Sequence, residues 1–198
     1  MRYLSEGKDN EACISLVSAL LAGCSSAPEP TSSMYLLPKV ESQTLSSAAV
    51  AERPLLIVRP VELASYLNNS GIVYRTSESQ IIQAKHNQWA QSISEQITQR
   101  IIDDLRHKQS HYWPVKVHSL IDQSSENKLQ LSLSKFNGNY QGNAELEGEW
   151  MLIDANGKVQ HRSPVKILMP LQDEGYDALV GALSAGLENL TDNIAQQL

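Results

Sequence analysis

The sequence of 198 residues is poor in cysteine, in basic residues and in long apolar runs. Its two cysteines, Cys13 and Cys24, both lie near the amino terminus, so the remaining chain can hold neither a disulfide framework nor a cysteine zinc site. The 16 Lys and Arg residues against 22 Asp and Glu residues give a net charge of -6, which argues against nucleic-acid binding. No apolar run approaches the roughly 20 residues of a membrane-spanning helix.

Sequence motifs of the common catalytic sites are also missing. The 10 glycines form neither G-x-x-x-x-G-K nor G-x-G-x-x-G, and there is no G-x-S-x-G elbow and no H-E-x-x-H. His107, His111 and His118 are close in sequence, but Pro114 interrupts them, and we interpret them as exposed polar residues rather than metal ligands. The sequence therefore predicts no enzyme, no bound metal and no dissociable cofactor.

Acidic residues form two notable groups. Asp103 and Asp104 are neighbours on a predicted helix, where side chains point about 100° apart, so we expect a solvated helix face rather than a carboxylate pair. Glu145, Glu147 and Glu149 form an acidic stripe along one face of a predicted strand. We interpret this stripe as solvated surface, and the alternative is a contact with a basic partner.

The amino-terminal segment has the pattern of a lipoprotein signal. An apolar run over residues 12–22 leads to Leu21-Ala22-Gly23-Cys24, which resembles the bacterial lipobox, and Ser and Pro residues follow. This resemblance implies cleavage between Gly23 and Cys24, a covalent diacylglycerol and an N-acyl chain on Cys24, and, because Ser25 follows, delivery to the outer membrane. Residues 1–11 carry more acidic than basic side chains, unlike a usual leader, and the alternative is a buried helix with an incidental cysteine.

Hydrophobic periodicity predicts the organisation of the remaining chain. Apolar or alternating segments predict strands at 34–38, 55–58, 72–75, 80–84, 115–117, 129–133, 144–152 and 159–169, of which the last four are expected to be antiparallel. Apolar residues every four positions from Trp89 to Leu105 predict a helix over about 87–107, and a second apolar stripe predicts a final helix from Tyr176 to Leu198. Trp89 and Trp150 are expected in the core.

The predicted fold class is α/β. We expect one three-layer-like domain over residues 34–198, with a mixed or antiparallel sheet of about seven to eight strands packed by two long amphipathic helices. Residues 1–23 are predicted to be a signal peptide, and residues 24–33 a lipidated tether.

Several strings, in their order along the chain, resemble the ABC-type transport auxiliary lipoproteins. They are Met34-Tyr35-Leu36-Leu37-Pro38, the segment from Leu56 to Leu67, Ile72-Val73-Tyr74-Arg75, Gln88-Trp89-Ala90-Gln91-Ser92-Ile93, Phe136-Asn137-Gly138, Trp150-Met151-Leu152 and Gly175-Tyr176-Asp177-Ala178-Leu179-Val180.

The resemblance implies a non-enzymatic lipoprotein on the periplasmic face of the outer membrane. It would serve as an accessory subunit for a PqiB-like, MCE-domain tunnel protein that carries lipid between the two membranes, and so support membrane integrity. We expect a docking adaptor, which homo-oligomerisation would suit if the tunnel is symmetric. One alternative is a periplasmic lipid carrier with an apolar cavity. The other is a hydrolase with a metal held by His107, His111 and His118.

Overall fold

The computed structural model describes residues 31–38, 52–117 and 125–198. In these ranges the chain forms nine strands and two α-helices, with a short 3₁₀ turn at Ser65–Leu67. The strands are β1 (Ser33–Tyr35), β2 (Leu55–Val58), β3 (Glu62–Leu63), β4 (Gly71–Arg75), β5 (Ile81–Trp89), β6 (Trp113–Lys116), β7 (Asn127–Asn139), β8 (Asn143–Ile153) and β9 (Val159–Pro170). The helices are α1 (Ile93–Lys108) and α2 (Tyr176–Ala195). Neither helix combines the length and apolar content that crossing a membrane requires, within the ranges described.

All nine strands belong to one mixed sheet built around β7. On one side, β7 pairs antiparallel with β8, which pairs antiparallel with β9. On its other side, β2, β3 and β4 pair with it one after another, all parallel. Beyond them, β6 adds parallel to β2, β5 adds antiparallel to β4, and β1 adds parallel to β5 at the edge. The predicted antiparallel pairing of the strand after the first helix is therefore wrong, because β6 joins β2 rather than β7.

The two helices lie side by side and contact each other directly. Arg100 on α1 donates a hydrogen bond to Ser184 on α2 at 2.9 Å, and Thr191 on α2 donates to Asp104 on α1 at 2.8 Å. Side chains could not meet in this way if a sheet separated the helices. The prediction of one α/β domain with a mixed sheet and two helices is confirmed, but both helices form a single layer rather than covering two faces.

Each helix buries the apolar stripe that the sequence predicts. Ile97, Ile101 and Leu105 on α1 are fully buried, as are Leu183 and Leu187 on α2. The sheet contributes the alternate residues of β7 and β8, and Trp150 is among the largest buried side chains. Helix α2 approaches the sheet closely, because a Cβ at Gly186 would lie 2.6 Å from a methyl carbon of Leu146.

Helix α1 begins at Ile93, not near residue 87. Residues 81–89 instead form the long strand β5, which pairs with β4 and, through Asn87, Gln88 and Trp89, with β1. Trp89 is buried as predicted, but it is the last residue of β5 and packs against Phe136, with 6.3 Å between the ring centroids. Strand pairing with a distant segment therefore overrides the helical spacing of Trp89 and Ile93.

Asp104 is buried between the helices, so the prediction that it lies on a solvated helix face is wrong. Its carboxylate accepts hydrogen bonds from Arg100 Nε at 2.8 Å and from Thr191. Arg100 also donates to the carbonyl of Pro38 at 2.7 Å, which fixes the chain after β1. Asp103 is more exposed and accepts a hydrogen bond from Gln99. The Arg100–Asp104 pair thus fastens three separate segments together.

Candidate functional site

An open apolar cleft lies at one end of the sheet. It is formed where the β4–β5 hairpin, the turn between β7 and β8, and the segment leading into α2 meet, and its volume is about 640 Å³. Its apolar lining consists of three aromatic and three aliphatic side chains, which are Tyr74, Ile82, Tyr140, Leu171, Tyr176 and Leu179. Ile82 and Tyr140 are 46% and 41% exposed, so the cleft presents large apolar side chains to solvent.

Local sequence explains how the floor of the cleft is shaped. Tyr74 is aligned with Gly138 in the parallel pairing of β4 and β7. A Cβ at Gly138 would lie only 2.6 Å from the Tyr74 ring and 3.0 Å from Leu179, so a side chain there would displace both. On the other side, the backbone N–H of Leu171 donates to the carbonyl of Gly142 at 2.9 Å and joins the two wall segments.

The rim of the cleft is acidic. Asp173 and Glu174 are exposed and lie just before Gly175, the residue that precedes α2. Carboxylates at this place are favourable for the helix, because its first turn presents unpaired N–H groups. Among the described residues, no Lys, Arg or His lines the cleft, and the nearby Arg75 is paired with Glu78 and Glu145. The surface around the apolar lining is therefore suited to a positively charged ligand or partner.

A buried carboxylate supports the wall of the cleft from behind. Glu145 on β8 accepts hydrogen bonds from Arg75 Nη2 at 2.7 Å, from Asn139 Nδ2 at 2.9 Å and from Asn137 Nδ2 at 3.1 Å. Burial alone would raise the pKa of Glu145, but these three hydrogen bonds outweigh it and hold the pKa below its ordinary value. Glu145 is consequently a fixed negative charge that orients Arg75.

Arg75 links the buried Glu145 to two exposed side chains, Glu78 and Tyr140. Its Nη1 donates to Glu78 at 3.3 Å, and its guanidinium lies 5.8 Å from the centre of the Tyr140 ring. The Tyr140 hydroxyl donates to Glu78. This hydrogen bond, followed by the charge of Arg75, lowers the pKa of Glu78. One cation thus serves two carboxylates and positions an aromatic side chain of the cleft.

The structure places the sequence-predicted residues in different environments. The expectation of a solvated acidic stripe is wrong for Glu145, which is buried, whereas Glu147 and Glu149 are partly exposed. Glu147 pairs with Lys135 at 3.0 Å, and Glu149 accepts a hydrogen bond from Arg162 Nε at 2.7 Å. These two pairs are spread along the sheet face and do not converge on a site.

The remaining candidates are the two lipobox residues and the three histidines. Gly23, Cys24 and His118 lie outside the described residues. His107 is exposed at the end of α1. His111 packs against Tyr112, with 4.4 Å between the ring centroids. In the ranges that the structure describes, no group of three or more His, Cys, Asp and Glu residues could hold a metal ion. Within those ranges, His107 and His111 are therefore not part of such a group.

Sequence reasoning missed the cleft. Its lining comes from β4, β5, the β7–β8 turn and the start of α2, which are far apart along the chain. The one local signal was the pair Ile81-Ile82, where two apolar residues stand between Gln80 and Gln83 instead of alternating with polar ones. Such a pair at the start of a strand places one apolar residue on each face of the sheet.

Comparison with protein families places the chain in a known family. The sequence model of the ABC-type transport auxiliary lipoprotein component matches residues 35–195, which include both helices and the whole lining of the cleft. The chain belongs to this family. The family resemblance that the sequence strings indicated is therefore confirmed.

Individual proteins are also similar to this chain in sequence and in structure. The chain is 32% identical to intermembrane transport lipoprotein PqiC of Escherichia coli strain K12, over 93% of this chain and 95% of that protein. PqiC of Shigella flexneri gives the same values. A crystal structure of a protein described as uncharacterized has a TM-score of 0.70 at 26% identity, and covers 85% of this chain and 99% of its own. A Xanthomonas campestris structure has a TM-score of 0.69 at 16% identity, covers 84% and 95%, and shows the fold alone.

Proposed function

We propose that this auxiliary lipoprotein is a non-enzymatic docking subunit for an MCE-domain, PqiB-like tunnel protein that carries lipid between the inner and outer membranes. Membership of a transport auxiliary family supports the general role, as does the similarity to proteins named for intermembrane transport. Docking to a tunnel protein and placement at the outer membrane are the further steps of the proposal. Homo-oligomerisation is part of it, since a symmetric tunnel would offer several equivalent contacts.

The observation that carries the proposal is the apolar cleft with its acidic rim. Apolar anchors seated in a pocket supply most of the binding energy of protein interfaces, and complementary charge at the rim guides the encounter. The lining of Tyr74, Ile82 and Tyr176 would receive an apolar side chain, while Asp173 and Glu174 would attract Lys or Arg beside it. We therefore expect the partner to present an apolar residue flanked by basic ones.

Photo-crosslinking in cells tests the docking surface. A photoreactive amino acid at Ile82, on the cleft, should give an adduct with the MCE-domain protein. The matched control is Val159 at the start of β9, whose exposure of 45% is nearly equal to the 46% of Ile82. Adducts of equal yield from both positions, or recovery of peptidoglycan-linked proteins alone from Ile82, would contradict docking at the cleft.

The membrane anchor in this proposal is Cys24. Two or three acyl chains on one cysteine give stable membrane attachment, because each buried CH₂ contributes about 0.8 kcal/mol. We expect intact-mass measurement to show cleavage between Gly23 and Cys24 with acylation of Cys24, and the Cys24→Ala protein to leave the membrane fraction. A Cys24→Ala protein that remains with membranes to the wild-type extent would argue against this anchor.

Lipid carriage is the second candidate, and the apolar lining of the cleft favours it. A cleft of about 640 Å³ falls within the size range of small-molecule sites. The acidic rim, however, would repel the phosphate of an anionic headgroup. Organic extraction of the purified full-length protein distinguishes the carrier from the adaptor. Only lipid that is extracted without breaking a covalent bond is counted, and the acyl chains on the protein are measured separately by intact mass. One phospholipid recovered per chain would favour the carrier over the adaptor.

A further inference from the structure

The strand nearest the proposed anchor exposes two large apolar side chains. Met34 on β1 is 69% exposed, and Leu36, just after β1, is 56% exposed. Tyr35 between them points to the other face and packs against Tyr176, with 6.4 Å between the ring centroids. Strand alternation therefore places Met34 and Leu36 together on the side of the sheet edge that faces away from the helices.

The exposure of these two residues is built into the fold. The backbone on either side is held, because the N–H of Ala90 donates to the carbonyl of Tyr35 at 2.9 Å and the N–H of Leu37 donates to the Gln96 side chain at 2.8 Å. Leu37 itself is buried. A fixed segment that buries Leu37 while presenting Met34 and Leu36 is typical of an interaction surface.

The charge around this edge is basic. Neither β1 nor β5 contains an acidic residue, while β5 carries Lys85 and His86. The pairing brings His86 close to the start of β1, since Ser33 is aligned with Asn87 and the Ser32 hydroxyl lies 3.5 Å from His86 Nδ1, and Lys85 is the residue of β5 that precedes His86. Lys85 is exposed. An apolar pair beside a cation matches the acyl and headgroup layers of an anionic lipid surface.

Chain length limits what this edge can reach. Eight residues lie between Cys24 and Ser33, and an extended chain spans at most about 3.6 Å for each of the nine steps, so β1 would lie within about 32 Å of an acylated Cys24. The cleft, by contrast, has an acidic rim that would be repelled by the same surface.

From these observations we propose that the edge formed by Met34, Leu36, Lys85 and His86 rests on the membrane surface and orients the domain. This inference rests on the proposed function through the anchor at Cys24. It adds a second, non-covalent lipid contact that turns the acidic cleft away from the lipid headgroups and toward the partner.

A single free thiol can report this contact. In the processed protein Cys13 is removed and Cys24 is acylated, so a cysteine introduced by Leu36→Cys would be the one site for a nitroxide label. The control is Leu168→Cys on β9, which starts from a similar exposure of 50% and lies across four intervening strands from β1. The lipidated full chain is placed on vesicles of phosphatidylethanolamine with a minor share of phosphatidylglycerol.

Collision rates with oxygen, which concentrates in lipid, and with a water-soluble nickel complex then decide the matter. We expect the oxygen-to-nickel ratio to be several-fold higher for Leu36→Cys than for Leu168→Cys, and Lys85→Glu to lower it. Equal ratios at both sites would overturn the inference. So would a label at position 36 shielded from both reagents, which would indicate a second protein copy there. A chain that fails to bind vesicles and lacks acyl mass would instead refute the Cys24 anchor itself.

Discussion

Asp104 and Glu145 are both buried carboxylates paired with an arginine, but their surroundings differ. Asp104 lies between the helices, and its partner Arg100 donates its other hydrogen bonds to Ser184 and to the carbonyl of Pro38. Glu145 lies on β8 near the cleft, and its partner Arg75 also donates a hydrogen bond to the exposed Glu78. The same chemistry therefore fastens the core in one place and shapes a surface in the other.

The comparison teaches what separates a structural ion pair from one that supports a site. Burial does not separate them, because both carboxylates are nearly inaccessible. The difference lies in the second contact of the arginine. Arg75 continues to Glu78 and to the ring of Tyr140, and Tyr140 lines the cleft. Substitutions that remove each carboxylate should therefore have different consequences.

The largest effect on stability is expected for Asp104→Ala. This change leaves Arg100 buried with an uncompensated charge, which costs about 3 kcal/mol of the free energy of unfolding. Chemical denaturation of the purified protein measures it. Asp103→Ala, which removes the neighbouring and more exposed carboxylate, is the matched control and should cost under about 1 kcal/mol. Similar losses for the two variants would show that the buried pair does not fasten the helices.

A smaller effect is expected for Glu145→Gln, about 2 kcal/mol, because Arg75 keeps its contact with Glu78. This change also has a signature in pH. The pKa of Glu145 is lowered by folding, so its contribution is present above the ordinary value of 4.5 and is lost as the pH falls through the folded-state pKa. Denaturation between neutral and acidic pH should therefore give a flatter stability profile for Glu145→Gln than for wild type. Parallel profiles would contradict the assigned role.

The smallest effect on stability is expected for the rim. Neutralising it with Asp173→Asn and Glu174→Gln removes only exposed charges near the start of α2, so the unfolding free energy should stay within about 1 kcal/mol of wild type. Thermal denaturation checks this. A larger loss would mean that the rim acids serve the helix rather than a partner.

The sequence predicted the elements with local signals and missed those set by distant pairing. The apolar stripes of Ile97, Ile101 and Leu105 and of Leu183 and Leu187 predict the existence of both helices, because the buried face of a helix repeats every turn, but they set the start of α1 too early. Trp89 has the same spacing, yet it belongs to β5, because β1 arrives from more than fifty residues away to pair with it. No periodicity within residues 81–93 records that pairing.

The site shows the same limit more strongly. Alternation along β8 correctly places Glu145 on the face opposite Leu146, but cannot tell that Arg75 from β4 covers that face at this end of the strand. Glu149, four residues further, remains partly exposed. Burial of a strand face depends on what crosses it, and the residues that cross it come from other parts of the chain. The string Leu21-Ala22-Gly23-Cys24 is contiguous, so its resemblance to a lipobox is visible in the sequence alone, and its processing stays a prediction.

Binding of the purified chain to its MCE-domain partner, measured with the rim neutralised, tests the central claim most directly. Asp173→Asn with Glu174→Gln should weaken binding several-fold at low salt, and the difference should narrow as salt screens the charges. Glu147→Gln with Glu149→Gln removes the same charge from the opposite sheet face and should leave the affinity near that of wild type. If the two double variants bind equally well, or if added salt leaves the rim variant's deficit unchanged, the acidic cleft is not the docking site.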